Sequence, residues 1–343
     1  MTGTTAKLVA EKLGISISTV GRALSDDPRI SAATKQRVRE MADALGYVTD
    51  APARIMRGGS SKLLGLVIPD VLNDFYASIA QALSTCCEEQ GYQLALSIAR
   101  DDRDLEAKHI KALVSARVAG VVIVPTASPR RETATLLAGV PHVQLLRSTS
   151  ALGAQWFGMD DEACIRAGTA HLLGLGHRDI GYIGGPDTLS TGAARVRGFL
   201  QAYRDAGLDP ARAVTQLGPP TDQHGYESAM RLVAHPGALA PKVSAIIAGS
   251  SHVTIGILSA LKELDVNVPG TLSLVGFGDP TWARWWGPGL TTAHLPIHEL
   301  ATTCGLWLLR SLANKGAALP SLQSIAKSEL IVRGSTAPIA PTS

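Results

Sequence analysis

The sequence predicts an all-α helix-turn-helix head followed by an α/β body of two doubly wound, parallel-sheet lobes. Three observations carry this. The first 48 residues hold three short amphipathic helix patterns broken by glycine and proline. From Leu63 onward, short apolar runs alternate with amphipathic stretches, the order expected of βαβ units on a parallel sheet. About 280 residues follow Leu63, more than one such sheet needs, so two lobes are expected with a ligand cleft between them at the strand carboxyl ends.

In the head, Leu8, Val9 and Leu13 mark a first helix from about Ala6 to Leu13, stopped by Gly14. Ser16 is a good N-cap for a second helix with Val20, Ala23 and Leu24 on one face. Ser31 caps a third that runs to about Leu45, with Val38, Met41 and Leu45 as its stripe. Two helices about a Gly-containing turn, with a third closing the core, form a helix-turn-helix unit. The second helix presents Ile17, Ser18, Thr19 and Arg22 outward. Arginine bonds guanine edges, small hydroxyls reach phosphates or bases, and an apolar side chain meets a thymine methyl.

Charge agrees with that reading. Residues 1–60 carry nine Lys+Arg and six Asp+Glu, whereas the remainder carries 23 of each. The whole net charge of +3 therefore sits in the head, which points to a polyanionic partner. Residues 49–61 include Gly58-Gly59-Ser60-Ser61, a flexible linker, preceded by a stretch long enough for one short helix.

In the body the expected strands are Leu63–Ile68, Gln93–Ile98, Gly120–Val124, Val143–Leu146, Ile180–Ile183, Ala245–Ala248 and Leu272–Gly276. The expected helices are Ile79–Gly91, Leu105–Arg117, Ala163–Leu175, Arg195–Ala206 and His252–Leu264. Near-continuous apolar strands fit parallel sheets covered on both faces. Cys86, Cys87, Cys164 and Cys304 form no metal-ligand spacing, so they are expected to be small buried apolar residues. No nucleotide fingerprint, catalytic triad or metal motif stands out, and His177 reads as structural; an enzyme and a cofactor are not expected. No apolar run reaches the ~18 residues of a membrane span, and Met1–Lys7 has no apolar signal region, so a cytoplasmic protein without a membrane partner is expected.

The run Ala6-x-x-Val9-Ala10-x-x-Leu13-Gly14-Ile15-Ser16-x-Ser18-Thr19-Val20-x-Arg22-Ala23-Leu24 resembles the head of the LacI/GalR family of bacterial repressors. So do Ile30-Ser31-x-x-Thr34-x-x-x-Val38 and Leu45-Gly46-Tyr47. In the body the likeness continues through Val67-Ile68-Pro69-Asp70, Leu175-Gly176-His177-Arg178, Ile183-Gly184-Gly185-Pro186, Val275-Gly276-Phe277 and Leu290-Thr291-Thr292. It spans nearly the whole chain.

The resemblance implies a homodimer that reads a pseudo-palindromic operator in double-stranded DNA and responds to a small-molecule effector. It places base reading on Ile17, Ser18 and Arg22, with Thr5, Ser16, Thr19 and Arg29 completing the DNA-contacting set. Met56 falls where the family inserts an apolar wedge into the minor groove. The chain departs from the family at Gly21, usually serine, and at Thr49-Asp50, usually Pro-Asn. The implied organisation is a DNA-binding domain at 1–48, a hinge at 49–61, a body at 62–337 and a tail at 338–343. The body is expected to be periplasmic-binding-protein-like with three lobe crossovers. Its first lobe would be 62–160 and 291–322, its second 161–290 and 323–337.

The implied effector-binding residues are Phe75, Tyr76, Arg147, Thr191, Arg195, Ser250 and Asp279. Sugar-binding members carry Asn-Asp where this chain has Ser250-Ser251, and Asp where it has Gly278. Fewer carboxylates and amides around two arginines favour an anionic effector, a sugar acid or sugar phosphate, over a neutral sugar. Trp282, Trp285 and Trp286 offer a replacement stacking surface or a packing face. A regulator with a degenerate sensor and a ligand-binding protein without DNA function are the competing readings.

Overall fold

The computed structural model describes residues 6–47, 61–233, 243–313 and 322–339. Thr5 and Met56 of the expected DNA-contacting set, and most of the expected hinge, lie outside them. The chain divides into two compact units, Met1–Lys62 and Leu63–Ser343.

The first unit contains α1 (Ala6–Leu13), α2 (Ile17–Leu24) and α3 (Ala32–Ala44). Val9, Ala10, Val20, Ala23 and Val38 form its core, with Leu13, Ile30, Met41 and Leu45 packed around them. Each of those buried positions comes from the i, i+3, i+4 stripe of its helix. Gly14 and Gly46 follow the helices at φ +66° and +62°, left-handed values that cost glycine little.

The second unit holds two six-stranded sheets. The first is built from β1 (Leu63–Ile68), β2 (Gln93–Ile98), β3 (Gly120–Ile123), β4 (His142–Leu145), β5 (Trp156–Met159) and β11 (Gln323–Ala326). Its strand order is β11-β5-β4-β3-β1-β2, all parallel. Helices α4 (Asp74–Glu89), α5 (Arg103–Ser115), α6 (Arg131–Leu137) and α11 (Ile297–Ala313) belong to this lobe. Alternation along β1 separates two cores. Leu64, Leu66 and Ile68 join Ile79 and Leu83 of α4, whereas Val67 joins Ile110 and Leu113 of α5.

The second sheet contains β6 (Ile180–Gly184), β7 (Val214–Leu217), β8 (Ala245–Ala248), β9 (Ser273–Phe277), β10 (Thr291–His294) and β12 (Glu329–Ile331). Its order is β12-β10-β9-β8-β6-β7, parallel except for the edge pair β10–β12. Helices α7 (Asp161–Gly174), α8 (Ser190–Asp205), α9 (Asp222–Val233) and α10 (Ser251–Glu263) cover it. All four cysteines are free and buried.

The chain crosses between lobes three times: β5 to α7, β10 to α11, and β11 to β12. Two expected lobe boundaries are corrected by this. Residues 291–294 belong to the second lobe, because Thr291–Ala293 pair with Val275–Phe277. Residues 323–326 belong to the first, because Gln323–Ala326 pair with Trp156–Met159. The edge strands β11 and β12 come last in the chain, and a short apolar run does not reveal which sheet it will join. Several helices also begin earlier than their apolar stripes suggest. Thus α4 starts at Asp74 behind the N-cap Asn73, and α8 starts at Ser190 rather than Arg195. Both first turns face the cleft between the lobes and not the sheet, so they lie outside the apolar stripe that periodicity follows.

Candidate functional site

In the head, Ser16 caps α2 by accepting from the Thr19 amide at 3.1 Å. Its hydroxyl also lies 2.8 Å from both Ser18 Oγ and Thr19 Oγ1, so three hydroxyls form one cluster at the helix start. Ile17 beside it is 49 % exposed, which nothing in the head's own packing explains. Arg22 is exposed one turn further along and makes no ion pair among the described residues. An amphipathic helix with a buried Val20–Ala23 face thus presents Ile17, Ser18 and Arg22 together.

Arg29 stands apart. Its guanidinium is held by Asp27, with Nε donating to Oδ1 at 3.0 Å and Nη2 to Oδ2 at 2.7 Å. That pairing holds the Asp27 carboxyl well below its ordinary pKa. Lys35 and Arg39 share Asp26 in the same way. Among the described residues, the two aspartates thus engage Arg29 of the loop and Lys35 and Arg39 of α3, whereas Arg22 of α2 has no ion pair.

In the body, the carboxyl ends of strands from both sheets surround a cleft of about 680 Å³. Asp70 follows β1, Asp101 follows β2, Arg147 follows β4, Ser250 follows β8 and Phe277 ends β9. Phe75 and Tyr76 enter from the first turn of α4, Thr191 and Arg195 from the first turns of α8. Pro220 and Ser251 also line it. Six of the seven expected effector residues thus share one cleft. A helix start and a strand end are the two places where a parallel sheet presents side chains to a ligand.

Asp279 is the exception. It does not line this cleft. Arg333 Nη1 and Nη2 reach its two carboxylate oxygens at 2.7 and 3.0 Å, and Thr292 donates to it at 2.9 Å. The carboxylate is 3 % exposed. Burial alone would raise its pKa; Arg333 and Thr292 outweigh that and hold it below the ordinary value. This pair ties the end of β9 to the chain beyond β12, a structural task beside the lobe crossovers.

The two arginines expected to meet the effector are already paired. Arg195 donates from Nε to Asp161 Oδ1 at 2.7 Å and from Nη1 to the Gly249 carbonyl at 2.7 Å. Its guanidinium also lies 4.2 Å from the centre of the Phe277 ring. Arg147 is bound by Asp101, with Nη2 to Oδ2 at 3.2 Å. Burial would lower both arginine pKa values, but Asp161 for one and Tyr76 with Asp101 for the other raise them above normal. Both stay charged, and both are neutralised from within. These two arginines therefore lend an anionic effector little support, although Arg100, exposed on the cleft lining, makes no ion pair among the described residues.

Asp101 and Asp161, the partners of these two arginines, are the residues of the site that sequence reasoning missed. Each lies two or three residues beyond the end of a sheet strand, and that position was the available signal. His252 and Asp70, 3.8 Å apart, face each other from opposite lobes. Likewise, the Ser148 amide donates to Ser190 Oγ at 3.0 Å across the lobes. Of the three tryptophans, none lines the cleft; Trp285 is 74 % exposed, while Trp282 and Trp286 pack on the core. His177 is structural: its ring nitrogens meet Ser244 Oγ at 2.8 Å and Ser273 Oγ at 3.0 Å, and burial lowers its pKa.

Beneath the second-lobe rim of the cleft, Tyr182 stacks on Phe199. Its hydroxyl is buried and finds no hydrogen-bond partner among the described residues. A buried orphan hydroxyl costs about 1–3 kcal/mol. Tyr182→Phe is therefore expected to leave the melting temperature unchanged or raise it; a clear fall in a thermal melt would show that the hydroxyl is bonded after all.

Among the described residues, no helix is long and apolar enough to cross a membrane. Residues 5–50 match the family described as bacterial regulatory proteins, lacI family, and residues 169–336 match the periplasmic binding protein-like domain. An uncharacterized HTH-type transcriptional regulator in the aml 5′ region of Streptomyces limosus is 30 % identical, over 97 % of this chain and 94 % of its own length. The regulator MalR of Streptomyces coelicolor is 29 % identical over 96 % and 95 %. Among solved structures, the lac repressor dimer bound to operator and the anti-inducer ONPF aligns with TM-score 0.81 at 21 % identity, over 97 % of this chain and 99 % of that one. A LacI-family repressor from Corynebacterium glutamicum aligns with TM-score 0.70 at 26 % identity, over 80 % and 99 %. These relatives are transcriptional regulators, not enzymes. With a DNA-reading helix in one unit and a two-lobed cleft in the other, the chain belongs to the lacI family of bacterial transcriptional regulators.

Proposed function

We infer that this regulator is a homodimeric repressor that binds a pseudo-palindromic operator and is controlled by a small polar effector held between the lobes of its body. The observation that carries the effector reading is the cleft itself: strand ends and helix starts of both sheets converge on it, so one ligand would touch both lobes at once. A ligand that favours one lobe arrangement shifts the equilibrium by its differential affinity. Ser16, Ile17, Ser18, Thr19 and Arg22 are the proposed DNA contacts that the described residues support best. Thr5 and Met56 remain proposed contacts, while Arg29, clamped by Asp27, is proposed to shape the loop instead. Phe75, Tyr76, Thr191 and Ser250 are proposed to touch the effector, with Arg147 and Arg195 offering their remaining donors. Asp279 is proposed to act only through Arg333.

Duplexes selected from random DNA by the purified protein supply the operator. Arg22→Ala is then expected to cost about 1–3 kcal/mol, roughly 5- to 150-fold in affinity, and to relax the preference at one base pair per half-site. Arg29→Ala is expected to change affinity far less. Failure to select any common sequence, or an undiminished preference in Arg22→Ala, would overturn the assignment.

A further inference from the structure

A second cavity, of about 730 Å³, adjoins the cleft. Leu72, Asn73, Phe75 and Ser251 line both, so the two cavities meet at these four residues. We propose that the two cavities form one extended site, and that the effector is a chain of two or more hydroxyl-bearing rings whose second ring lies against Trp282. The proposal rests on the reading of the cleft as the effector site.

Four observations support it. The two volumes together exceed the ~300–1,000 Å³ of a pocket built for one compact ligand. The second cavity has its own recognition chemistry: Trp282 offers a ring held by core packing, and Asp74, His298 and Glu299 offer donors and acceptors around it. An aromatic face beside carboxylates and imidazole suits a ring with an apolar face and hydroxyl edges.

Among the described residues, no Lys or Arg lines this second cavity. Asp279 on its wall is neutralised by Arg333, while Asp74 and Glu299 disfavour an anion. In the first cavity Arg147 and Arg195 are likewise neutralised by Asp101 and Asp161, while Arg100 lies exposed on the lining. A neutral ring therefore fits the second cavity.

Gly278 also lines the second cavity. It sits at φ +81°, and a Cβ there would stand 3.0 Å from Ser251 Oγ on the shared wall. The glycine keeps the passage clear at the point where any side chain would narrow it.

The test is isothermal titration of the full-length protein with glucose, maltose and maltotriose, and with cellobiose and cellotriose, using glucose 6-phosphate as the anionic comparison. The expected result is an affinity rising by about tenfold or more from one ring to two in one series. Trp282→Ala and Glu299→Ala should each remove that gain and leave single-ring binding in place. Glu299 is exposed on the first turn of α11, so its variant keeps the test valid if Trp282→Ala fails to fold. Equal affinity for one ring and two, a length dependence untouched by both variants, tighter binding of the phosphate, or no binding by any of these sugars would each overturn the proposal. Operator binding, measured in parallel, separates the two readings. A length-dependent ligand that leaves operator affinity unchanged removes the effector role and spares the second cavity. Full release by a single ring does the reverse.

Discussion

Arg195→Ala is expected to destabilise the body by about 3–5 kcal/mol, the cost of leaving a buried carboxylate without its partner. Asp161 is 4 % exposed and receives its charged contacts from this one guanidinium, at 2.6 and 2.7 Å. The same substitution also orphans the Gly249 carbonyl and removes the cation from the Phe277 ring. The fall in melting temperature should be on the order of 10 °C. The double variant Asp161→Asn/Arg195→Ala should recover part of the loss, since it removes both buried charges. That recovery distinguishes a structural pair from a ligand-binding arginine. An arginine held in reserve for an effector would cost the ligand-free protein almost nothing, and the second substitution would restore nothing.

Gly256→Ala is expected to cost at least about 3 kcal/mol, beyond the usual range of overpacking because the obstacle is backbone. Helices α9 and α10 touch through their glycines. A Cβ at Gly256 would overlap the Asp222 carbonyl and come within 2.6 Å of the Tyr226 amide nitrogen; one at Gly225 would overlap the Val253 carbonyl. No side-chain rotation relieves either clash, so the helices must part. Since α10 begins at Ser251, directly after Ser250 in the cleft, effector affinity should fall together with stability. Gly174→Ala is the control. It closes α7, and a Cβ there meets nothing within 4 Å, so the change should be neutral or slightly stabilising. Equal melting temperatures for the two variants would show that α9 and α10 are not in close contact.

Much of the fold is legible in the amino-acid sequence. The strands Leu63–Ile68, Gln93–Ile98 and Ala245–Ala248 fall on the expected residues, because each is a short apolar run bounded by turn residues and the chain has no other use for such a run. The recognition helix is equally plain, since Ser16 and the Val20–Ala23–Leu24 stripe fix both its start and its inward face. The second cavity is not legible at all. Trp282, His298 and Asp74 are distant in sequence and meet only because α4, α11 and the segment after β9 converge beside the crossovers.

Local order and the inventory of exposed side chains were thus set by the sequence itself: period, caps and turn glycines act within a few residues and are written there. The state of each charge was decided by the tertiary structure. Arg147, Arg195, Arg29 and Asp279 all read as free ligands or DNA contacts from their positions in the chain. Each found a partner of opposite charge from 2 to 54 residues away. A charge brought out of water is stable only when paired, and which partner reaches it depends on how the two sheets and their helices are assembled.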